Sequence, residues 1–337
     1  MQDWKTLKEK LSQTKKISIV SHPSPDGDSI GSSLAVYWFL LAKGHEVNII
    51  TPDAPPQFLS FLEGFDRILY FENEKEKAKV LLQESELIFF LDFNNLQRLG
   101  ELGEFLQNLK NSSYWVNIDH HQDPEDFTNF QYCFPGTSST AELIHRFIEE
   151  LNELQLLNLN IAKAIYVGIL TDTGSFRFSS TEASTHATVS NLFKVGVKPE
   201  EIQRKIYNNF SQDRLQLLGF ALNQRLLFHT EHATGIIYLK KEDLKQLNYQ
   251  KGDSEGLVNY PLMVQSINFS ILLSENDQKI KISFRSEGSF AANKFAEDHF
   301  EGGGHINAAG GVSYLSMEDT LEKIAQLLPS YHDQLVY

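Results

Sequence analysis

Apolar residues in the first half of the chain form short continuous runs, separated by longer stretches in which they recur with helical spacing. The runs predict buried strands at 16–21, 46–51, 87–93 and 114–119. The longer stretches predict helices, among them 29–44 and 139–151. Strands that alternate with helices are typical of a parallel sheet with helices on both faces, so we expect an α/β fold.

The second half of the chain has a different pattern. Helical spacing dominates from about 155 to 225, with helices predicted at 182–196, 199–210 and 212–226. Strand-like runs then return at 234–240, 266–275 and 279–287, and glycines cluster at 302–311. These patterns predict a first domain at 1–190, a helical connector at 191–225 and a smaller α/β domain at 226–337.

Composition and charge narrow the range of functions. The chain has 337 residues, of which 41% are hydrophobic, and its formal net charge is −14. Such an acidic chain argues against binding to long duplex nucleic acid, which requires basic patches. A short anionic substrate is still compatible with this charge, because bound metal ions can supply positive charge. The oligomeric state is also left open, a homodimer included.

The sequence carries no pattern typical of export or of a membrane span. It has no run of about 18 uncharged apolar residues, and its polar beginning lacks the apolar region of a signal peptide. The single cysteine, Cys133, cannot form a disulfide within one chain. We therefore expect a protein of the reducing cytoplasm with no membrane partner.

Four polar clusters follow predicted strands or lie in helical segments. They are His22, Asp26 and Asp28; Asp92; Asp119, His120 and His121; and Asp172. Because the carboxyl ends of parallel strands meet at one edge of a sheet, we expect these side chains to converge. Grouped carboxylates repel one another unless cations hold them ionised. Carboxylate and imidazole ligands without thiolates suit Mn²⁺ in particular, or Fe, Co and Zn, and disfavour a structural zinc site.

Each cluster alone has a simpler interpretation. An aspartate at a strand end is more often a helix cap or a turn residue, and a lone histidine is more often structural. The stretch GTSST at 136–140 predicts a helix N-cap at Ser138 or Ser139. The metal hypothesis therefore depends on the combination of clusters.

The ordered motifs HPSPDGDSIGSSLA, FLD, IDHH and TDTGSFRFSST resemble those of the DHH phosphoesterase family. The later stretch GGGHINAAGG resembles the associated DHHA1 domain, and the likeness extends over nearly the whole chain. The stretch EGLVNYPL at 255–262 is similar to the NrnA-like subgroup, whose members hydrolyse short oligoribonucleotides and 3′-phosphoadenosine 5′-phosphate (pAp). The resemblance implies an N-terminal DHH domain and a C-terminal DHHA1 domain.

The resemblance also implies a site with two divalent ions, most simply Mn²⁺. One ion would be held by His22 and Asp26, the other by Asp28 and His120, with Asp92 between them and Asp172 completing one shell. His121 would contact a phosphate oxygen or protonate the leaving group, and Asp119 would orient a neighbouring histidine. Two such ions would hold a phosphoryl group and activate a water.

The second domain would then bind the substrate. The residues assigned to this role are Arg285, Ser286, Gly303, Gly304 and His305. Arginine suits bidentate contact with phosphate, and glycines let a backbone approach a phosphate closely. Phe290 has two interpretations, flanking a base or packing in the core.

The leading hypothesis is a Mn²⁺-dependent phosphoesterase that acts on short single-stranded RNA or DNA oligonucleotides and on pAp. An exopolyphosphatase or pyrophosphatase is an alternative, because the first-domain motifs alone permit it. A phosphodiesterase for cyclic dinucleotides or their linear product pApA is another. A non-catalytic nucleotide sensor is disfavoured, since a sensor could lose several of the metal-type residues that this chain retains.

Overall fold

The structure is a computed structural model that describes residues 3–13, 15–110, 112–208, 210–250, 252–276 and 278–336. It divides into two compact units, Met1–Asn209 and Phe210–Tyr337. This division falls inside 191–225, the segment expected to be a helical connector, and assigns its helices partly to one unit and partly to the other. No helix in the described ranges combines the length and the apolar content needed to cross a bilayer.

Helices and strands follow one another much as the apolar pattern predicts. The strands are β1 (Lys16–Ser21), β2 (Glu46–Thr51), β3 (Ile68–Tyr70), β4 (Leu87–Leu91), β5 (Tyr114–Asp119), β6 (Phe130–Cys133), β7 (Leu226–His229), β8 (Thr234–Leu239), β9 (Phe269–Glu275), β10 (Ile280–Ser286), β11 (Gly303–His305) and β12 (Ala308–Ser313). The helices are α1 (Trp4–Lys10), α2 (Gly27–Ala42), α3 (Lys75–Glu84), α4 (Glu101–Gln107), α5 (Thr140–Glu150), α6 (Leu159–Asp172), α7 (Ala183–Val195), α8 (Pro199–Tyr207), α9 (Gln212–Gln224), α10 (Lys241–Gln246), α11 (Ala292–His299), α12 (Met317–Leu327) and α13 (His332–Leu335).

The first unit contains a parallel sheet with the strand order β3-β2-β1-β4-β5-β6. Both of its faces are covered, because alternate residues of β4 belong to different core clusters: Phe89 to one and Phe90 to the other. A strand that is buried on both faces needs a continuous apolar sequence, which β4 has. The predicted α/β fold with helices on both faces is confirmed.

Three helices of this unit approach closely because glycines lie at their contacts. A Cβ at Gly31 of α2 would come within 2.5 Å of the Ala164 carbonyl oxygen in α6. A Cβ at Gly168 of α6 would come within 2.4 Å of Ala141 Cβ, at the start of α5, and within 2.7 Å of Asp28 Oδ1. The glycines thus let α2, α5 and α6 bring their polar ends together.

The second unit contains a mixed sheet with the order β11-β12-β10-β9-β8-β7, in which β8 and β9 are parallel and the other pairs antiparallel. Its glycine-rich stretch forms the paired strands β11 and β12. Phe290 is only 2% exposed and packs against the rings of Phe269 and Phe295. Of its two interpretations, packing in the core is therefore correct.

Candidate metal centre

The carboxyl edge of the parallel sheet collects the polar residues that the sequence places after the strands. His22 follows β1, Asp92 follows β4, and Asp119 ends β5 just before His120 and His121. Three groups of these side chains have ligand atoms within 4.8 Å of one another. They are His22, Asp26 and Asp92; Asp28, His120 and Asp172; and Asp92, His120 and His121. The structure thus brings all the predicted metal ligands into overlapping groups.

Asp92 belongs to two of these groups. Its Oδ2 lies 3.3 Å from His22 Nε2, and its Oδ1 lies 3.7 Å from His120 Nε2 and 3.8 Å from His121 Nδ1. The carboxylate is 2% exposed, and its residue has a left-handed backbone with a φ of 68°. Strained conformations of this kind are concentrated at functional sites. The two carboxylate oxygens of Asp92 therefore face different histidines.

Backbone carbonyls orient two of the imidazoles. The carbonyl oxygen of Pro23 lies 2.9 Å from His22 Nδ1, and that of Thr137 lies 3.1 Å from His120 Nδ1. A carbonyl can only accept a hydrogen bond, so both Nδ1 atoms carry the proton. The Nε2 atoms then face the carboxylates, and this is the tautomer that binds a metal through Nε2.

Asp26 and Asp28 begin helix α2. Asp26 is its N-cap and accepts hydrogen bonds on Oδ1 from the amides of Asp28 and Ser29, both at 3.0 Å. The buried Asp28 carboxylate is held from another direction by the start of α5. Its Oδ2 accepts from the Thr140 amide at 2.7 Å and its Oδ1 from the Ala141 amide at 2.9 Å. The first amides of a helix are suited to a carboxylate.

The start of α5 also contacts Asp92. The Thr140 hydroxyl donates to Asp92 Oδ1 at 2.9 Å. The predicted N-cap of this helix is confirmed at Ser139, whose Oγ accepts from the Glu142 amide at 3.1 Å. Thr140 therefore holds two carboxylates, one through its amide and one through its hydroxyl, a role that the sequence analysis missed.

The electrostatics of the cluster call for positive charge. Burial raises the pKa of Asp28 well above its usual range, and the charges of Asp92, Asp172 and Asp26 act in the same direction. Burial likewise raises the pKa of Asp172 to about 7, although His120 opposes the effect. Carboxylates placed so close together stay ionised at neutral pH only if cations compensate them.

The imidazoles and carboxylates of this cluster also shift one another's pKa. Burial works to raise the pKa of Asp92, but the hydrogen bond and charge of His22, with His121 and His120, outweigh it and lower the pKa below its usual range. Burial works to lower the pKa of His22, but Asp92 and Asp26 outweigh it and raise the pKa to about 9. The donor set of carboxylate oxygens and imidazole nitrogens therefore fits divalent cations.

Asp119 and His121 form a separate contact beside this cluster. The fully buried Asp119 has Oδ1 2.7 Å from His121 Nδ1, and the same oxygen accepts from the His121 amide at 3.2 Å. Since a carboxylate accepts, His121 Nδ1 carries the proton. This contact fixes the orientation of the His121 ring.

In the second unit, two of the predicted substrate-binding residues lie on one face of the sheet. Arg285 of β10 pairs with Ala308 of β12, which in turn pairs with His305 of β11. Directly opposed residues point to the same side of a sheet, so Arg285 and His305 flank the small Ala308. Burial lowers the pKa of Arg285.

The other residues assigned to substrate binding have different surroundings. Ser286 points to the opposite face, where its hydroxyl donates to the Phe290 carbonyl oxygen at 2.7 Å and accepts from Asn307 Nδ2 at 2.9 Å. Gly303 and Gly304 lie in β11, and a Cβ at Gly304 would come within 2.6 Å of the Ala308 carbonyl oxygen. The structure brings Ser286 into a hydrogen-bonded loop rather than beside Arg285.

Comparison with known proteins extends this description. The DHH family, N-terminal domain, matches residues 16–169, and the DHHA1 domain matches residues 234–331. The bifunctional oligoribonuclease and PAP phosphatase NrnA of Thermus thermophilus is 28% identical over 311 residues, which are 92% of this chain and 88% of that protein. The protein of the same name from Bacillus subtilis is 26% identical over 294 residues, 87% of this chain and 88% of its own.

A solved structure is also similar over almost its full length. The exopolyphosphatase-related protein of Bacteroides fragilis is 38% identical and superposes with a TM-score of 0.94, covering 98% of this chain and 96% of that one. Its likeness extends over both units of the present chain. The chain therefore belongs to the DHH family of phosphoesterases, with a DHHA1 domain in its second unit.

Proposed function

We propose that this protein is a two-metal, Mn²⁺-dependent phosphoesterase that hydrolyses short single-stranded oligonucleotides and removes the 3′-phosphate of pAp. The observation that carries the proposal is the position of Asp92, which belongs to two of the three ligand groups at the sheet edge. The names of the Thermus and Bacillus relatives support this choice of substrates.

In this proposal the ligand groups divide between two ions. His22 and Asp26 would hold one ion, and Asp28, His120 and Asp172 would hold the other. Asp92, whose Oδ2 lies near His22 and whose Oδ1 lies near His120, would contact both. When bound, the two ions would supply positive charge to a phosphoryl group and would lower the pKa of the attacking water. Thr140 keeps Asp28 and Asp92 in place through the hydrogen bonds described above.

His121 has the role of a phosphate contact or of the acid that protonates the leaving oxygen. Asp119 keeps the proton on His121 Nδ1 and fixes the ring, which leaves Nε2 as the atom for this chemistry. Asp119 itself acts through His121. Both residues are then positioned by the end of β5, next to the ligand His120.

The second unit contributes to recognition rather than to bond cleavage. Arg285 and His305 offer a guanidinium and an imidazole on one sheet face, suited to a phosphate that is not being hydrolysed. Gly303 and Gly304 provide backbone without side chains beside them, and Ser286 supports the adjoining loop. The net charge of −14 disfavours long duplex substrates, whose phosphates require many basic contacts.

A substrate panel with added Mn²⁺ tests this function. It includes pAp, ribonucleotides of two to five units, linear and cyclic di-AMP, pyrophosphate and polyphosphate, each repeated after chelation. We expect pAp and the shortest ribonucleotides to be hydrolysed best, and all activity to disappear with the metal. Full activity after exhaustive chelation, or equal rates per end on a dinucleotide and a long single strand, would contradict the proposal.

One observation favours a second candidate. The Bacteroides fragilis protein, 38% identical over almost the whole chain, is named as exopolyphosphatase-related. Polyphosphate presents a row of identical phosphoryl groups to the same kind of metal site. Faster hydrolysis of polyphosphate than of every nucleotide in the panel would make this the function.

A further inference from the structure

The backbone immediately after Asp172 adopts an unusual conformation. Gly174, Ser175 and Phe176 are consecutive left-handed residues, with φ values of 55°, 63° and 65°. Left-handed backbone is ordinary for glycine, but it is disfavoured for other residues and most of all for bulky ones. Strained residues of this kind persist where the surrounding structure enforces them, and they are concentrated at functional sites.

The surrounding structure holds this turn firmly. The Ser175 amide donates to the Leu170 carbonyl at 2.8 Å, and the amides of Arg177 and Phe178 donate to the Thr173 carbonyl at 2.9 and 3.1 Å. The Phe176 ring is directed inward, where it meets Tyr166 and His186 at centroid distances of 6.3 and 5.5 Å. Because Phe176 occupies the inner side, the two residues that follow it reach the surface.

These two residues present flat groups to solvent. Phe178 is 49% exposed, and its ring lies over Gly174, where an added Cβ would come within 2.6 Å of the ring Cζ. Arg177 is exposed, and its Nε donates to the Gly174 carbonyl at 2.9 Å, which fixes the guanidinium. One glycine thus supports both an aromatic ring and a guanidinium plane.

The turn lies beside the candidate metal centre. Asp172 Oδ2 is 3.5 Å from His120 Nε2. Gly174 follows Asp172 by two residues, so their Cα atoms are no more than about 7.6 Å apart. A nucleotide whose phosphate lies at the metal centre therefore has the exposed ring and guanidinium within reach of its base.

We infer that Phe178 and Arg177 form a subsite for an unpaired nucleobase next to the reacting phosphate. This inference rests on the proposed function and deepens it. Unpaired bases are bound by stacking on aromatic rings and on arginine planes, and such stacking tolerates any base sequence. The subsite would favour nucleotides over inorganic phosphates, and single strands over duplexes, whose bases are already stacked.

The test compares base removal in the substrate with ring removal in the protein. Phe178→Ala, Phe178→Trp and Arg177→Met are assayed on a diribonucleotide and on two analogues, each lacking one of the two bases. We expect Phe178→Ala to lose about tenfold to a hundredfold in kcat/KM on the intact dinucleotide and on one analogue. On the analogue that lacks the stacked base, Phe178→Ala should be as active as wild type. Phe178→Trp should keep full activity on all three substrates. Arg177→Met should lose less activity than Phe178→Ala.

A matched control is Phe193→Ala. Phe193 lies in α7, is 42% exposed and belongs to the same unit, so it should leave all three rates unchanged. Equal losses for Phe178→Ala on all three substrates, or no loss on any, would overturn the inference. Melting curves of each variant identify a loss that comes from unfolding.

A binding measurement separates this inference from the proposed function. Calorimetry with a diribonucleotide methylphosphonate, which the enzyme should not cleave, is carried out on Mn²⁺-loaded wild type, Phe178→Ala and Phe193→Ala. Weaker binding by Phe178→Ala alone supports the subsite, whether or not dinucleotides are hydrolysed in the substrate panel. A panel in which dinucleotides are not hydrolysed would overturn only the proposed function. Equal affinity for all three proteins overturns the subsite while leaving hydrolysis as measured.

Discussion

Each unit of the protein has a buried aspartate that meets basic side chains, and the two are compensated differently. In the second unit Asp243 is 6% exposed and accepts hydrogen bonds from Arg225 Nε and Nη2 at 2.7 and 2.8 Å. In the first unit Asp92 is 2% exposed and faces imidazoles, with the Asp28 carboxylate in the same cluster. In the second unit the guanidinium of Arg225 neutralises the charge of Asp243. In the first unit several carboxylates lie together, and their charge requires additional cations. In our proposal, Asp243 serves folding and Asp92 serves metal binding.

The same substitution in the two units should separate these roles most strongly. Asp92→Asn keeps the side-chain volume and removes the charge between the two ligand groups, so turnover should fall by about a thousandfold or more. Asp243→Asn should keep turnover and lower the free energy of unfolding by about 2 kcal/mol, the usual value of a hydrogen-bonded charge. Rates and urea unfolding curves of both variants check this. Comparable losses of activity in both variants would remove the distinction.

The cationic face of the second unit is expected to act on substrate choice. Arg285→Met and His305→Ala should each lower kcat/KM for pAp and dinucleotides by about 30- to 150-fold. This loss corresponds to about 2–3 kcal/mol of transition-state stabilisation, the range of a charge-assisted contact. A small diester such as bis-p-nitrophenyl phosphate should be affected far less, because it lacks the additional phosphate. Assays of both substrate types with each variant measure the difference. An equal loss on the small diester would assign these residues to the chemical step or to the fold.

Much of the fold could be predicted because its apolar pattern is local. The buried run of β4 and the amphipathic helix α5 were both evident from spacing alone. The three residues of β3 were too few for a pattern, and the glycines of β11 conceal a strand, because strand propensity depends on side chains that they lack. The segment Gly303–His305 is a strand because it pairs with β12, a tertiary contact that the local sequence does not reveal.

The candidate site could be predicted only where side-chain type reveals function. Carboxylates and imidazoles after strands indicated the cluster, but the amides that hold Asp28 belong to Thr140 and Ala141, whose side chains reveal nothing about it. One signal was available, the spacing of Gly27 and Gly31 in α2, which marks a face that can approach another helix closely. Backbone donors over 100 residues away in sequence have no such signal.

Substitutions at Thr140 test whether its hydrogen bonds position the carboxylates of the first unit before a metal ion binds. Thr140→Val keeps the shape and the amide but removes the hydroxyl that donates to Asp92, so Mn²⁺ affinity should fall about tenfold to a hundredfold. Thr140→Ser keeps the hydroxyl and should bind nearly as well as wild type. Calorimetric titration of the chelated proteins measures the affinities. Identical affinity of the valine variant would show that Asp92 needs no support from α5.

The smallest effect concerns stability and pH. Burial lowers the pKa of His145 in α5, and neither ring nitrogen has a hydrogen-bond partner in the part of the chain that the structure describes. The unfolded chain takes up a proton near the usual histidine pKa and the folded chain resists it. The contribution of His145 to the free energy of unfolding should therefore fall as the pH drops below about 6.5, by at most about 1.4 kcal/mol per pH unit.

The variant His145→Leu should flatten that part of the pH profile, and its stability relative to wild type should rise as the pH falls. The exposed His332 of the second unit provides the control, since His332→Gln should keep the wild-type profile. Urea unfolding at pH 7.5 and pH 5.5 measures all three proteins. A wild-type slope that persists in His145→Leu would trace the effect to other groups.

Counting bound manganese while measuring turnover tests the central claim, that the first unit is a two-metal centre linked by Asp92. Chelated wild type, Asp92→Asn and Asp243→Asn are dialysed against Mn²⁺, and the bound metal and the rate of pAp hydrolysis are determined on the same samples. The account predicts two ions per chain and full activity for wild type and Asp243→Asn, and at most one ion with no turnover for Asp92→Asn. Two tightly bound ions and normal turnover in Asp92→Asn would contradict it.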